Sequence, residues 1–405
     1  MRILVISDLY PPVAFGGYER QCAALVKGLR ERHDVIVLTS NRDRDRAGTE
    51  QDVRRDLPYL GPARRQAVLA PLAAIRAAQV TREMLAHLRP DIVYVANCAG
   101  VPQAAPCVAM NAGYRLVFRL AELWYAANLL HGDRFLRHLH AEDRAPRRAW
   151  GTLMRGINHH PALRLAPEQP VRVAISWCSD DLCERAGPHR SLRPVLERTI
   201  YPCSAEGAAF ARLPRRPHDR VVVAYVGRVT VAKGAELACR ALAQLRSTHG
   251  IDAELLLAGP CTPRMRRRME TLARDLGVGQ HLRLLGPLDT AAVGELLQQA
   301  HAIVIPSVEH EAFGTVCLEA ALARAPIVAS RVGGIPEALR SGEDALLFEP
   351  GHAEQCAAAL ATTIRNPSLT ERRVHSAFLH AQEFTVERYV KASETLLQQA
   401  AVALT

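Results

Sequence analysis

The sequence predicts an α/β protein with two doubly wound domains, in each of which helices cover both faces of a parallel sheet. Its 405 residues leave room for two such domains. Short apolar, β-branched runs alternate with longer stretches that have helical periodicity. Each half begins with such a run and a glycine-containing loop, MRILVIS at residue 1 and VVVAYVG at residue 221.

Apolar runs bounded by turn residues predict five strands in each half. In the N-terminal half the strands are expected at about 2–7, 35–39, 91–96, 116–120 and 171–176. In the C-terminal half they are expected near 221–226, 253–258, 282–285, 302–305 and 326–329. The segment Thr199–Arg220 contains proline and a charge cluster and is predicted to link the halves. Asp180 and Asp181 are interpreted as a helix start.

Two carboxylates follow an apolar run in the C-terminal half. The run HAIVIPS predicts a buried strand; Glu311 then lies on the loop that leaves it, and Glu319 lies on the next helix. Loops at the carboxyl ends of parallel strands are where open α/β sheets bind ligands. A carboxylate can accept hydrogen bonds from two neighbouring hydroxyls, so the pair suits a polyol. The alternative is a pair of solvated glutamates on an amphipathic helix.

Two cations follow the strand predicted at 221–226. Gly227 ends this strand, Arg228 comes next, and Lys233 precedes a helix. The planar guanidinium and the mobile ammonium together suit a diphosphate at a helix start. Lysine is rare in this chain, which argues against an incidental surface residue at position 233. The alternative is a solvated lysine at a helix start.

A glycine pair lies in the first loop of the chain. Gly16 and Gly17 stand where this loop meets the first helix of a strand–loop–helix–strand unit. Glycine allows close approach of the backbone to a ligand phosphate. The spacing is not the GxGxxG fingerprint, so NAD is not indicated. The alternative is an ordinary turn.

These motifs together resemble glycosyltransferase family 4, whose members are retaining enzymes that use nucleotide-sugar donors. The resemblance rests on YPPVAFGGYER near the N-terminus and on YVGRVTVAKG, IPSVEHEAFGTVCLEA and PIVASRVGGIPEAL, in that order. It implies the GT-B fold, in which two Rossmann-like doubly wound domains face a central cleft. Residues 1–203 would bind the acceptor and residues 204–384 the donor, and a last helix at about 385–405 would pack back on the first domain.

The resemblance also implies roles for individual residues. Arg228 and Lys233 would bind the donor diphosphate and stabilise its charge as it leaves. Glu311 would hold hydroxyls of the transferred sugar, and Glu319 would bind the ribose. The other donor-binding positions would be Gly16, Gly17, Phe313, Gly314, Thr315 and Leu288. Because the two cations do the work of a metal ion, and a donor phosphate oxygen can take the acceptor proton, no cofactor, metal or protein base is expected beyond a UDP-, GDP-, ADP- or dTDP-sugar.

One segment departs from the family pattern. Many members carry a His-Asp pair after a strand of the first domain, where the histidine contacts the transferred sugar. The corresponding segment here is RLVFRLAELWY, in which Ala121 and Glu122 occupy that place. Some members read RDLWP instead, and AELWY is closer to that version. Glu122 is therefore a candidate acceptor-binding residue, with a capping or surface role as the alternative.

Composition bears on partners and location. The net charge of +10 comes from arginine, but no nucleic-acid module accompanies the basic tracts 42–55 and 134–155. His159 and His160 have no partner ligands nearby in the sequence, so a metal site there is not expected. No signal peptide, apolar run of 18 residues or CxxC pair is present, so we expect a cytoplasmic protein without a transmembrane segment. Peripheral membrane contact and oligomeric state stay open.

The acceptor is the least readable feature, because residues 42–90 and 128–168 resemble no known motif. The favoured reaction is hexosyl or N-acetylhexosaminyl transfer in the biosynthesis of a small bacterial natural product or cyclitol intermediate. The alternatives are a polysaccharide or lipid-linked glycan acceptor, and a pseudo-glycosyltransferase that couples a cyclitol. A sugar-phosphate acceptor would need a further basic cluster, which Arg115 and Arg119 could supply.

Overall fold

A computed structural model describes residues 1–13, 16–42, 44, 50–60, 70–122, 170–187, 192–212 and 214–404. The chain divides into two compact units, Met1–Tyr201 with Val386–Thr405 and Pro202–Thr385. The basic tract 134–155, together with His159 and His160, lies outside the described residues. None of the helices described is both long and apolar enough to cross a bilayer.

The described part of the first unit holds a parallel sheet. Its strands are β1 (Arg2–Ile6), β2 (Asp34–Ser40), β3 (Val53–Leu57), β4 (Ile92–Val95), β5 (Leu116–Leu120), β6 (Val171–Trp177) and β7 (Leu192–Thr199). They are ordered β3-β2-β1-β4-β5-β6-β7, so the order reverses direction between β1 and β4. All residues of β4 and β5 are buried, as expected for central strands of a sheet covered on both faces.

The second unit holds a parallel sheet of the same type. Its strands are β8 (Val221–Val226), β9 (Ala253–Ala258), β10 (Leu282–Gly286), β11 (Ala302–Ile305), β12 (Ile327–Ser330) and β13 (Leu346–Phe348). The order is β10-β9-β8-β11-β12-β13, and the reversal falls between β8 and β11. The predicted fold class, two Rossmann-like doubly wound α/β domains, is therefore confirmed.

The helices complete both units. In chain order they are α1 (Gly17–Leu29), α2 (Ala70–Leu88), α3 (Ala104–Asn111), α4 (Asp180–Ala186), α5 (Gly207–Ala211), α6 (Ala235–Ser247), α7 (Pro263–Asp275), α8 (Thr290–Gln299), α9 (Thr315–Leu322), α10 (Ile335–Ala338), α11 (Ala353–Arg365), α12 (Pro367–Ala381) and α13 (Val386–Ala403). The Ser179 hydroxyl accepts a hydrogen bond from the Leu182 N–H and caps α4, which confirms the helix start predicted at Asp180.

The ten predicted strands are all present, but the prediction missed β3, β7 and β13. Each of these three is an edge strand of its sheet. β3 and β7 carry several charged residues and are only partly buried, whereas β13 has just three residues. These three edge strands each have one neighbour and one open side, and they lack the continuous apolar run on which the prediction relied.

The boundary between the two units falls inside the segment predicted as the linker, but part of this segment forms regular structure. Thr199, its first residue, is the end of β7, and the short helix α5 forms within it. Phe210 of α5 is buried, so this segment contributes to a core and is not an open connection. The alanines and other apolar residues of this segment are compatible with a turn of helix. The prediction of a linker gave more weight to the surrounding prolines and charged residues.

The last helix packs on the first. Glu394 of α13 accepts hydrogen bonds from Arg32 Nε and Nη2, at 3.0 and 2.6 Å, and from His33 Nε2 at 2.8 Å. Gly28 of α1 lies so close to Val390 that a methyl group at position 28 would overlap its side chain. These contacts explain why the C-terminal segment belongs to the first unit.

Candidate functional site

The candidate site of the second unit lies where its strand order reverses. The loop after β8 carries Arg228 and Lys233, and the loop after the adjacent strand β11 carries Glu311. Ligands of open α/β sheets bind in the crevice that two such loops flank, at the carboxyl ends of the strands. The sequence analysis placed these residues on two separate loops, and the strand order makes the loops neighbours.

Lys233 and Glu311 form an ion pair between the two loops. The Lys233 Nζ atom contacts Glu311 Oε2, and the Ser307 hydroxyl donates a hydrogen bond to the same oxygen at 3.0 Å. The side chains of Lys233 and Glu311 are 29% and 13% exposed, and Ser307 is only 2% exposed. A cation suited to phosphate and a carboxylate suited to hydroxyls therefore stand side by side at the edge of the crevice.

Backbone contacts fix the two loops against each other. Gly234 has φ +72°, and a Cβ atom there would overlap the Pro306 carbonyl oxygen. The Ala232 carbonyl accepts hydrogen bonds from the N–H groups of Val308 and Glu309, at 2.9 and 3.2 Å. Only glycine combines this conformation with such a close approach, so position 234 determines the distance between the loops.

The glycine pair after β12 holds the Glu311 backbone. Gly334 N–H donates a hydrogen bond to the Glu311 carbonyl at 2.8 Å. Gly333 has φ +57°, and a Cβ atom at this position would overlap the same carbonyl oxygen. The pair thus positions the backbone of Glu311, which lies on a different loop, the one after β11.

The other predicted donor-binding residues of this loop lead into α9. Gly314 has φ +77° and stands immediately before Thr315, the first residue of the helix. Phe313 is buried, with its ring 5.6 Å from that of Phe384, so its backbone and not its side chain can face a ligand. Glu319 is half-buried and lies one turn after Thr315 on the same side of the helix.

Arg228 and Leu288 lie on two loops at the same edge of the sheet. Arg228 is exposed, and its guanidinium pairs with no carboxylate of the described residues. Its carbonyl accepts a 2.6 Å hydrogen bond from the Tyr225 hydroxyl, and burial together with the nearby Glu311 charge raises the pKa of that hydroxyl. Leu288 is half-buried on the loop that leaves β10, two strands from β8.

The predicted site residues of the first unit lie on loops that follow β1 and β5. Gly16 precedes α1, and its N–H donates to Glu19 Oε2 at 3.0 Å, while Gly17 is the first helical residue. Glu122 follows β5 and is exposed. The predicted glycines and Glu122 therefore all stand at the carboxyl edge of this sheet, as the sequence analysis expected of ligand-binding loops.

Asp8, which sequence patterns did not single out, is buried two residues after the end of β1. Its Oδ1 accepts from the Leu9 N–H at 2.8 Å, and its Oδ2 accepts from the Gly100 N–H at 3.0 Å. Burial, and then the charge of Glu19, raise the pKa of Asp8 to about 7. An acidic residue two positions after an apolar strand was the available signal.

Arg115 and Arg119 were suggested as a basic cluster for a sugar phosphate, and this suggestion is wrong for Arg119. This arginine is 1% exposed, and its Nη1 donates to the Ser176 hydroxyl and to the carbonyls of Trp177 and Ile200, at 2.7 to 2.9 Å. The ring of Tyr389 lies 5.3 Å from its guanidinium carbon. Arg119 therefore joins the ends of β5, β6 and β7 and is not available to a phosphate.

The second unit is similar to a known family of enzymes. Residues 210–378 match the family model for glycosyl transferases group 1. This part of the chain is similar to the group 1 glycosyltransferases. The matched range contains the two site loops, the helix α9 and both glycines that hold Glu311. The narrower assignment to glycosyltransferase family 4 stays a prediction.

Comparisons with individual proteins find further similar enzymes and structures. The chain is 28% identical over 398 residues to glycogen synthase of Mycobacterium tuberculosis, covering 93% of this chain and 89% of that one. It is 34% identical over 201 residues to D-inositol 3-phosphate glycosyltransferase of Acidothermus cellulolyticus, covering 48% of this chain and 44% of that protein. The crystal structure of Anabaena HepE in complex with UDP and glucose superposes with a TM-score of 0.66 at 20% identity, over 98% of this chain and 99% of that one. The shared fold is GT-B.

Proposed function

We propose that this protein is a cytoplasmic, biosynthetic, retaining glycosyltransferase. It moves a hexosyl or N-acetylhexosaminyl unit from a nucleoside-diphosphate sugar to an acceptor hydroxyl and needs no metal ion. One observation carries the proposal: the Lys233 ammonium and the Glu311 carboxylate stand together where the strand order of the second sheet reverses. The match of this region to group 1 glycosyltransferases supports it.

The reaction breaks the bond between the anomeric carbon and the donor diphosphate. Negative charge develops on the leaving phosphate, and Arg228, Lys233 and the backbone amides at the start of α9 stabilise it. The acceptor hydroxyl attacks from the face that the diphosphate leaves, so the anomeric configuration is retained. A phosphate oxygen takes the hydroxyl proton, and the products are the glycosylated acceptor and the nucleoside diphosphate.

The carboxylates and glycines orient the donor. Glu311 accepts hydrogen bonds from hydroxyls of the transferred sugar, and Glu319 accepts them from the ribose. Backbone groups of Gly16 and Gly17 meet the donor phosphate, where the absence of a side chain permits close approach. Phe313, Gly314 and Thr315 contribute main-chain contacts, and the main chain near Leu288 contacts the base; Glu122 is proposed to contact the acceptor.

The donor nucleotide is best identified by a thermal-shift screen. UDP is the first candidate, because HepE is described in complex with UDP and glucose. UDP, GDP, ADP and dTDP are compared with and without EDTA, since a ligand that binds only the folded state stabilises it by about 2.7 kcal/mol at a hundred times its dissociation constant. A shift that EDTA leaves unchanged supports a metal-free donor site. A shift that disappears with EDTA contradicts metal independence, and no shift with any of the four contradicts the proposed function.

The acceptor we favour is a cyclitol or another small molecule of specialised biosynthesis. The similarity to D-inositol 3-phosphate glycosyltransferase supports it. A second candidate is a polysaccharide, because the similarity to glycogen synthase extends over 93% of the chain. Incubation of the donor with inositol 3-phosphate, with inositol and with a glycogen-type oligosaccharide, followed by mass spectrometry, separates the two.

A further inference from the structure

One carboxylate oxygen in the candidate site has two partners of different character. Glu311 Oε2 contacts the ammonium of Lys233 and also accepts the hydrogen bond of Ser307. Lys233 reaches this oxygen at the end of a flexible four-carbon chain, and its side chain remains 29% exposed. Ser307 reaches it from a short side chain that is almost fully buried.

The backbone that carries Ser307 is held on both sides. The Pro306 carbonyl packs against Gly234, and Val308 N–H donates to the Ala232 carbonyl at 2.9 Å. The backbone at Ser307 is therefore held by contacts that do not involve the Lys233 side chain. A group that must orient a carboxylate is most effective when its own backbone is fixed in this way.

The ion pair conflicts with the two proposed roles of its members. In the proposed function Lys233 binds a diphosphate, which carries more negative charge than one carboxylate and attracts the ammonium more strongly. A diphosphate beside Lys233 also stands close to the Glu311 carboxylate, and like charges at that separation repel. Glu311 therefore opposes binding of the diphosphate both by competing for Lys233 and by repulsion.

This inference rests on the proposed function. We propose that the donor diphosphate replaces Glu311 as the partner of Lys233, and that Ser307 is the positioning residue that then holds the Glu311 carboxylate toward the sugar hydroxyls. The ion pair is the resting arrangement of the site. When the diphosphate binds Lys233, Glu311 Oε2 no longer pairs with the ammonium and can accept hydrogen bonds from the sugar. The Ser307 hydrogen bond holds the carboxylate at the position where the sugar hydroxyls bind.

The exchange predicts an unusual effect of substituting Glu311. Glu311→Gln keeps the size of the side chain but removes the charge that competes for Lys233. The variant should bind free UDP, which carries no sugar, about three- to fivefold more tightly than the wild type, the scale of a part-exposed ion pair. Transfer to acceptor should fall at the same time, because the sugar loses its carboxylate.

Competition for Lys233 and simple charge repulsion are separated by a double-mutant cycle. UDP affinity is measured by calorimetry for the wild type, Glu311→Gln, Lys233→Met and the double variant, with the diphosphate that the screen selects in place of UDP if another binds. If Lys233 changes partner, the gain from Glu311→Gln shrinks below about twofold in the Lys233→Met background. Glu309→Gln, an exposed glutamate two residues away, serves as the matched control and should leave UDP affinity within about twofold.

The role of Ser307 is tested by measuring both UDP affinity and the rate of sugar transfer in Ser307 variants. Ser307→Ala should bind UDP within about twofold of the wild type but lose about tenfold in kcat for transfer, since one hydrogen bond to a charged group is removed. Ser307→Thr retains the hydroxyl and should recover most of that loss. Melting curves of both variants establish that they are folded.

Three results would overturn the inference. Lys233 does not change partner if Glu311→Gln binds UDP no more tightly than the wild type. The same conclusion follows if Glu311→Gln raises UDP affinity equally in the wild-type and Lys233→Met backgrounds. Equal loss of UDP binding and of transfer in Ser307→Ala assigns that residue a general structural role. If wild-type protein binds none of the four nucleoside diphosphates, the proposed function itself fails, which is distinct from failure of the exchange.

Discussion

The α-carbon of Gly333 lies against the carbonyl of Glu311, so closely that a methyl group at position 333 would overlap the carbonyl oxygen. The neighbour is backbone and cannot rotate away as a side chain could. This contact connects the loop after β12 to the loop after β11. It gives the Gly-Gly pair of the sequence a specific role, which is to position the Glu311 backbone.

Gly333→Ala should therefore destabilise the second unit and reduce transfer. The left-handed φ costs alanine about 1–2 kcal/mol and the overlap adds about 1–3 kcal/mol. Gly342→Ala is the matched control, because Gly342 also has positive φ but has open space where the Cβ would stand. Denaturant unfolding should give the larger loss for Gly333→Ala, together with a loss of transfer that Gly342→Ala does not show. Equal losses from both substitutions would mean that the close contact is relieved without cost.

Lys233→Met should reduce the transfer rate by about a hundredfold or more, the usual cost of removing one group that stabilises a developing negative charge. Stability should change little, because the side chain is partly exposed. Lys391→Met removes an equal charge from an exposed position of α13 and should leave the rate within about twofold. Steady-state transfer assays with the donor from the thermal-shift screen provide the measurement. Near-normal transfer by Lys233→Met would contradict the diphosphate assignment.

Local features of the sequence were enough to predict the central strands and the loops that carry Arg228, Lys233 and Glu311. Apolar runs identify strands that are buried on both faces, and glycines mark places where the backbone needs positive φ or a close approach. What the sequence did not contain was the order of the strands, which makes β8 and β11 neighbours and brings Lys233 to Glu311.

Burial of polar residues was equally invisible in the sequence. Arg119 and Asp8 look like surface residues by type, yet both are buried at the carboxyl edge of the first sheet. In the sequence Ser307 resembles any loop serine, and only the structure shows that its hydroxyl donates a hydrogen bond to Glu311. In each case the information resides in contacts between segments far apart along the chain, which residue type and spacing do not encode.

Asp344 should stabilise the second unit through its ionised form. Burial alone would raise its pKa, but hydrogen bonds from Arg340, Ser376 and His380 outweigh burial and lower the pKa to about 2. A carboxyl whose folded pKa is depressed contributes stability above its unfolded pKa of 3.8 and loses it as the pH falls toward 2. Asp344→Asn should therefore cost about 2 kcal/mol at pH 7 in urea unfolding, and the difference should shrink below about pH 4.

The comparison for Asp344 is Asp252→Asn, which removes a carboxylate that is 85% exposed and should leave the unfolding free energy nearly unchanged. The two variants together separate a buried, fully hydrogen-bonded carboxylate from a solvated one. A cost for Asp344→Asn that stays constant between pH 7 and pH 3 would show that the lost stability does not come from ionisation.

Asp8 should affect stability in the opposite direction. Its pKa in the folded protein, raised to about 7 by burial and then by Glu19, lies above the unfolded value of 3.8, so the folded state binds the extra proton between these values. Stability linked to Asp8 is fully present below about pH 4 and is lost as the pH rises through 7, with a slope of at most about 1.4 kcal/mol per pH unit. The asparagine of Asp8→Asn cannot ionise, so the variant does not lose this stability as the pH rises. Its stability relative to the wild type should therefore be greater at pH 8 than at pH 5. The absolute value also includes the cost of placing an amide N–H₂ near the N–H of Leu9 or Gly100, but that cost does not vary with pH. Urea unfolding of both proteins at pH 5 and pH 8 isolates the difference, and parallel pH profiles would contradict the raised pKa.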